Sequence, residues 1–171
     1  MTLLWHEDVG ALLLSSVVDY RMLEPFNMQL TLKKGSHRPL TPRLEKMEGG
    51  KRYSFCYDTG AKIEAEQQEG RIRIASCARL VSLEQEELQN PVFGEITYTI
   101  EEGSVQIEVQ ISGAVKGTRL VIPVIADRAK VLGEPFLGET ENIFFLTGGF
   151  CAREFVVEPD EAGRAFVRIE I

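Results

Sequence analysis

An antiparallel β-sandwich is the fold class that this sequence predicts, and three observations predict it. Apolar and polar residues alternate with period two over most of the chain. The alternating runs are short and are separated by turns containing Gly, Pro or Asp. No stretch of about ten residues carries a helical apolar period. Ten or so strands exceed what one open sheet holds, so they pack as two layers, with a closed barrel as the second choice. The 171 residues are read as a single domain, 1–171.

From the N-terminus, the apolar run Val9 to Val18 reads as a buried strand. It is shorter than the roughly 20 residues that a membrane helix needs. Glu7 and Asp8 precede it in place of a basic stretch, so it makes a poor signal peptide. Lys33 to Met47, with Gly35, His37, Pro39 and Pro42, reads as a long loop or irregular crossing. Ile63 and Ala65 alternate with Lys62, Glu64 and Glu66. A turn through Gln67 to Gly70 then returns the chain along Ile72 and Ile74. That register sets Glu66 opposite Arg71 and Glu64 opposite Arg73, and the arginine row reads as a solvated sheet face. Val81 to Asn90 is expected to form a turn or bulged loop that Asn90-Pro91 ends.

Ile96, Tyr98 and Ile100, then Val105, Ile107, Val109 and Ile111, predict a hairpin about Glu102-Gly103-Ser104. Leu120 to Ile125 is apolar except for Pro123, which places a sheet edge or bulge there. Ile143–Leu146 is joined to Phe150 by a turn at Gly148-Gly149. A last hairpin is expected from Phe150 to Val157, through Pro159–Gly163, and back along Arg164 to Ile171. It buries Ala165, Val167, Ile169 and Ile171, and leaves Phe166 on the opposite face beside Arg164 and Arg168.

Lys plus Arg number 19 and Asp plus Glu 26, a net charge of −7. That balance argues against nucleic-acid binding, which needs a basic surface. The 44% hydrophobic and 26% charged composition is that of a soluble, folded chain, which leaves its compartment open. Cys56, Cys77 and Cys151 are odd in number and scattered, so they read as free, buried thiols rather than a disulfide or zinc framework.

Chemistry is sparse. There are two histidines, and although His6 and Asp8 share a strand face, Glu7 does not. No metal ligand set, cofactor or catalytic residue is therefore assigned. Neither a nucleophile elbow nor a phosphate loop is present in the sequence. Glu86-Glu87 and Glu101-Glu102 read as solvated turn charges. The N-terminal fifth is richer. Trp5, His6, Tyr20, Asn27, His37 and Arg38 combine aromatic faces with imidazole, amide and guanidinium groups. Such groups stack on sugar C–H surfaces and hydrogen-bond hydroxyls and carboxylates. They are the candidate carbohydrate-binding residues.

Trp5-His6, Gly10-Ala11-Leu12-Leu13, Ser15-Ser16, Asp19-Tyr20, Glu24-Pro25 and Asn27-Met28-Gln29 form a recognisable series. It resembles the start of the C-terminal β-sandwich domain of heparinase II/III-like polysaccharide lyases. In that family an α/α-toroid precedes the sandwich and carries most of the catalytic residues. The resemblance implies a non-catalytic accessory domain that supports polysaccharide or uronate-oligosaccharide binding beside a toroid, with no turnover of its own. Within a larger enzyme the activity would be that of a polysaccharide lyase. The alternative is a structural or protein-interaction sandwich with no small ligand, self-associating through an edge near Pro123 or through the C-terminal strand. A small enzyme of unrecognised type, its polar groups converging inside a barrel, is the third reading.

Overall fold

Residues whose side chains point alternately up and down a pleat bury one face only when a second layer covers it. In this chain two sheets cover one another. A computed structural model describes residues 2–6, 10–15, 42–124, 130–132, 136–137, 141–143 and 150–170. The early strands are β1 (Thr2–His6), β2 (Gly10–Ser15), β3 (Arg43–Glu48) and β4 (Lys51–Ser54). The middle ones are β5 (Lys62–Gln68), β6 (Arg71–Arg79), β7 (Val92–Glu101), β8 (Ser104–Gly113) and β9 (Thr118–Val124). β10 (Lys130–Leu132), β11 (Phe136–Leu137), β12 (Glu141–Ile143), β13 (Phe150–Val157) and β14 (Arg164–Glu170) follow.

The first sheet has the order β10-β14-β8-β7-β6-β5. The second has the order β11-β13-β9-β3-β4, with β12 also paired to β13. β1 and β2 form a separate antiparallel ribbon, and β2 approaches β9. Every pairing is antiparallel, so the expected sandwich class holds.

The core lies between the two sheets. Ile96, Ile107, Val109, Val167 and Ile169 of the first meet Leu44, Leu120, Ile122, Val124 and Phe155 of the second. Each such side chain contributes roughly 1.5–3 kcal/mol when fully buried. Gly94 sits on this inner face of β7, where a Cβ would run into the Leu44 side chain. The absence of a side chain there lets β3 and β7 close together.

Two predicted hairpins differ in detail. That of β7 and β8 forms as expected, pairing Ile100 with Val105 and Ile96 with Val109. In the hairpin of β5 and β6 the turn is only Glu69-Gly70, with Gly70 at φ +71. The ladder therefore closes two residues later than the sequence suggests. Glu66 faces Arg73, Glu64 faces Ala75, and Arg71 meets Glu101 of β7. A shift of two preserves which face each side chain occupies.

The expected last hairpin is not one. β13 has the anticipated bounds and β14 runs from Arg164 to Glu170, with Ile171 outside the described residues, but β13 joins β9 in the second sheet and β14 joins β8 in the first. The turn between them carries the chain from layer to layer. Alternation reports the buried face of a strand and is silent about its partner. β14 lies between β8 and β10, so the C-terminal strand is not the sheet edge anticipated for self-association. Pro123 fits its expectation better. β9 pairs with β3 only as far as Val121, and Pro123 lies beyond that ladder, opposite Glu154 of β13. β12 and β13 do pair, but Ile143 lies opposite Phe150, so six residues separate the strands where a turn at Gly148-Gly149 alone was expected, and residues 144–149 lie outside the described residues.

β3 replaces part of the expected loop between Lys33 and Met47. Its disguise is an ionic network on the outer face of the second sheet, where Arg43 and Glu45 are buried. Glu45 accepts from Arg43 Nε at 3.0 Å and from Arg119 Nη2 at 2.7 Å. Arg43 also reaches Glu154 Oε1 at 3.3 Å. Burial alone would raise the Glu45 pKa, but the guanidinium groups of Arg43, Arg52 and Arg119 outweigh it and hold the carboxyl below its ordinary value. Residues 81–90 form the expected irregular loop. Ser82 Oγ accepts from the Glu84 and Glu86 N–H groups, and Gln85 adopts φ +67. Val81 bridges back to Ser54, tying this loop of the first sheet to the end of β4.

Candidate functional site

The outer face of the first sheet carries the polar half of each alternation. Its antiparallel registers align side chains in rows across four strands. Arg73, Thr99, Gln106 and Arg168 form one row, and Ala75, Thr97, Glu108 and Phe166 the next. Cys77, Glu95, Gln110 and Arg164 form the third, and Arg79, Phe93 and Ser112 a fourth. On this polar surface Phe93 and Phe166 stand out at 50% and 52% exposed. They are two strands apart across the sheet and four residues apart along it, a separation of about 17 Å at standard strand spacing.

An open groove of about 540 Å³ lies at the Phe166 end, walled by Arg73, Thr97, Glu108, Gln110 and Arg164. Glu95 and Asp160 complete its rim. A second hollow of about 470 Å³ shares Glu95 and Gln110 and extends past Cys77 to Phe93. Beyond Phe166 a third, of about 700 Å³, continues over Val157 to Arg119. The first two, through the residues they share, form one trough with Phe166 near one end and Phe93 near the other.

Hydrogen bonds hold its walls. Arg73 Nη2 reaches Thr97 Oγ1 at 3.5 Å, and Thr97 Oγ1 donates to Glu95 Oε1 at 3.3 Å. Gln110 Nε2 donates to the carbonyls of Ile111 and Ala162, both at 3.1 Å. Asp160 Oδ1 accepts the Arg164 N–H at 2.8 Å, which shapes the turn into β14.

At the Phe93 end the floor is fixed by Asp58, which is 3% exposed. Its Oδ1 accepts from Gly60 N and Arg79 Nη2, both at 2.9 Å. Its Oδ2 accepts from Arg79 N at 2.8 Å and Arg79 Nε at 3.3 Å. Burial acts to raise the Asp58 pKa. The hydrogen bonds from Arg79 and Gly60 and the Arg79 charge overcome it, so the carboxyl titrates below its ordinary range. This latch pins the turn that follows β4 to the end of β6. Cys77 is exposed on this face, contrary to the expectation of a buried thiol, because it shares parity with Arg71 and Arg73. Burial of the sulfur and the nearby Glu95 charge push its pKa up, the opposite of what a reactive thiolate needs. Cys56 is buried, as expected, with its sulfur 3.1 Å from Ser54 Oγ. Among the described residues no group of three His, Cys, Asp or Glu could hold a metal ion.

Of the candidate binding residues, Trp5 and His6 lie on β1 opposite Ala11 and Gly10, with a register shift between Leu4 and Trp5. Their side chains fall outside what the structure describes, as do residues Tyr20, Asn27, His37 and Arg38 entirely. The trough was legible only in part. Parity already placed Phe166 outward beside Arg164 and Arg168. Phe93, Thr97 and Glu108 carried the same period-two signal, but their alignment needs the pairing order of β6, β7, β8 and β14.

Residues 1–135 match the model of the Ulvan lyase C-terminal domain family. The chain belongs to that family. The match to the Ulvan lyase C-terminal domain takes in β5 to β9 and stops before β14, which supplies Arg164 and Phe166. Among curated proteins the chain is 29% identical over 151 residues to a broad-specificity ulvan lyase of Formosa agariphila. The alignment takes up 86% of this chain and 23% of that protein, so the chain spans less than a quarter of the relative's length. No solved structure matches. The resemblance to the C-terminal sandwich of a polysaccharide lyase therefore holds at that level.

Proposed function

We propose that this Ulvan lyase C-terminal domain is a non-catalytic accessory module that holds polysaccharide for a lyase active site on another domain. The observation that carries the proposal is the trough. An open, hydrogen-bonding surface with an exposed aromatic ring near each end is what an extended sugar chain uses. The candidate set Trp5, His6, Tyr20, Asn27, His37 and Arg38 is proposed as a second contact for the polysaccharide. The heparinase II/III-like kinship and an α/α-toroid as the catalytic neighbour belong to the same proposal. The broad-specificity ulvan lyase relative suggests ulvan as the first polysaccharide to try.

Affinity electrophoresis of the chain in gels containing ulvan, with a turnover assay for unsaturated products, tests the reading. Retardation that saturates, with no product formed, is the expected result. Product formation by the chain alone would refute the accessory role, and unretarded migration would refute polysaccharide holding.

The alternative, an interaction module without a small ligand, has its own support. β5, with its Ile63, is exposed along its whole length at the edge of the first sheet, and Ile72 on the neighbouring β6 is exposed as well. Sedimentation showing concentration-dependent association together with no saccharide binding would favour it.

A further inference from the structure

We propose that the groove at Phe166 is a subsite for an uncharged sugar ring, stacked on Phe166 with its hydroxyls donated to Glu108, and that it disfavours a uronate. This inference rests on the polysaccharide-holding role and specifies which unit of the polymer sits there.

The groove contains three carboxylates, Glu95, Glu108 and Asp160, against two guanidinium groups, Arg73 and Arg164. Its sum is one negative charge, on a chain whose net charge is −7. Glu108 occupies the centre, in the same cross-strand row as Thr97 and Phe166. An ionised carboxylate only accepts hydrogen bonds, so it is matched by sugar hydroxyls, which donate. A uronate would bring a second acceptor-only group with a like charge to the same place, which is unfavourable. Gln110 adds to this bias. Both bonds from its Nε2 go to backbone carbonyls, which leaves its Oε1 as a further acceptor. Arg73 leans on Thr97 and borders the groove from the β6 side, where its donors suit a ring oxygen or hydroxyl lone pair. The hollow at Phe93 adds Asp58, paired with Arg79, and Lys62, so the two hollows together sum to zero and the excess of carboxylate is local to the groove at Phe166. Phenylalanine presents an apolar face without a hydroxyl, suited to the C–H surface of a sugar.

The test is titration of the 171-residue chain with two panels. One contains neutral pentose, hexose and deoxyhexose oligosaccharides, and the other oligogalacturonates and oligoglucuronates. Neutral oligosaccharides are expected to bind with little change on adding salt, because no ion pair is screened. Phe166→Ala and Glu108→Ala, both at exposed positions, are each expected to weaken that binding about tenfold, while Arg164→Ala changes it less. Unchanged circular dichroism of each variant confirms that the fold is kept. Binding of uronates alone, weakened by salt and abolished by Arg164→Ala, would overturn the neutral subsite and leave the accessory function standing. Neutral-sugar binding indifferent to Phe166→Ala and Glu108→Ala would overturn its location. Failure of both panels to bind would overturn the inference and the holding role together.

Discussion

Replacing Asp58 by Asn tests whether the latch between the turn after β4 and the end of β6 is a structural necessity. The two side chains have nearly the same shape, so packing is preserved. The amide, however, has one acceptor oxygen where the carboxylate has two, and its nitrogen donates. In one orientation it faces the Arg79 backbone N–H and Nε, and in the other Gly60 N and Arg79 Nη2. Two donors are opposed either way. A buried backbone N–H left unsatisfied costs about 1–3 kcal/mol. The lost ion pair adds little, about 1 kcal/mol or less, since the Arg79 side chain is 40% exposed and water can solvate it. The expected loss of stability is therefore about 1–4 kcal/mol. With a urea m-value of about 2 kcal/mol/M, the unfolding midpoint falls by roughly 0.5–2 M. A shift corresponding to less than about 1 kcal/mol at unchanged m would refute the assignment, showing that the four bonds do not act against a desolvated carboxylate.

Other consequences are equally measurable. Gly94→Ala places a methyl against Leu44 and should lower stability by about 1–3 kcal/mol in denaturant unfolding. Ile107→Ala opens a void in the middle of the core and should cost about 2–5 kcal/mol, whereas Phe166→Ala, on the surface, should stay within about 0.5 kcal/mol. Asp58 and Glu45 both titrate below their ordinary values in the folded protein. The stability they contribute is full above the unfolded carboxylate pKa and is lost as pH falls through the folded one, so thermal stability should decline below about pH 5. Asp58→Asn should flatten that decline, as followed by thermal melts across the acid range.

The parts of the fold written in strict alternation were legible. β7, β8, β13 and β14 could be bounded from sequence because each buries one apolar face and exposes the other. β3 could not, because Arg43 and Glu45 are charged residues buried by mutual pairing, and a period-two reading takes charge for solvent exposure. β9 lacks alternation for the converse reason. Val121 is buried on one face and Leu120 and Ile122 on the other, with β2 close by. Partner choice was the other gap. Nothing local distinguishes the turn that folds β8 back on β7 from the one that sends β14 to the opposite sheet. The trough depends on that choice, since Phe166 comes to lie beside Glu108 only through the pairing of β14 with β8.

The open flank along β5 has a consequence for handling the protein. A bare run of backbone donors and acceptors is a template on which another extended chain can grow. Lys62, Glu64 and Glu66 punctuate that run with charge and act as gatekeepers against stacking into fibrils. A variant that replaces the two glutamates by apolar residues removes much of that protection and should favour amyloid-like deposits seeded from this margin.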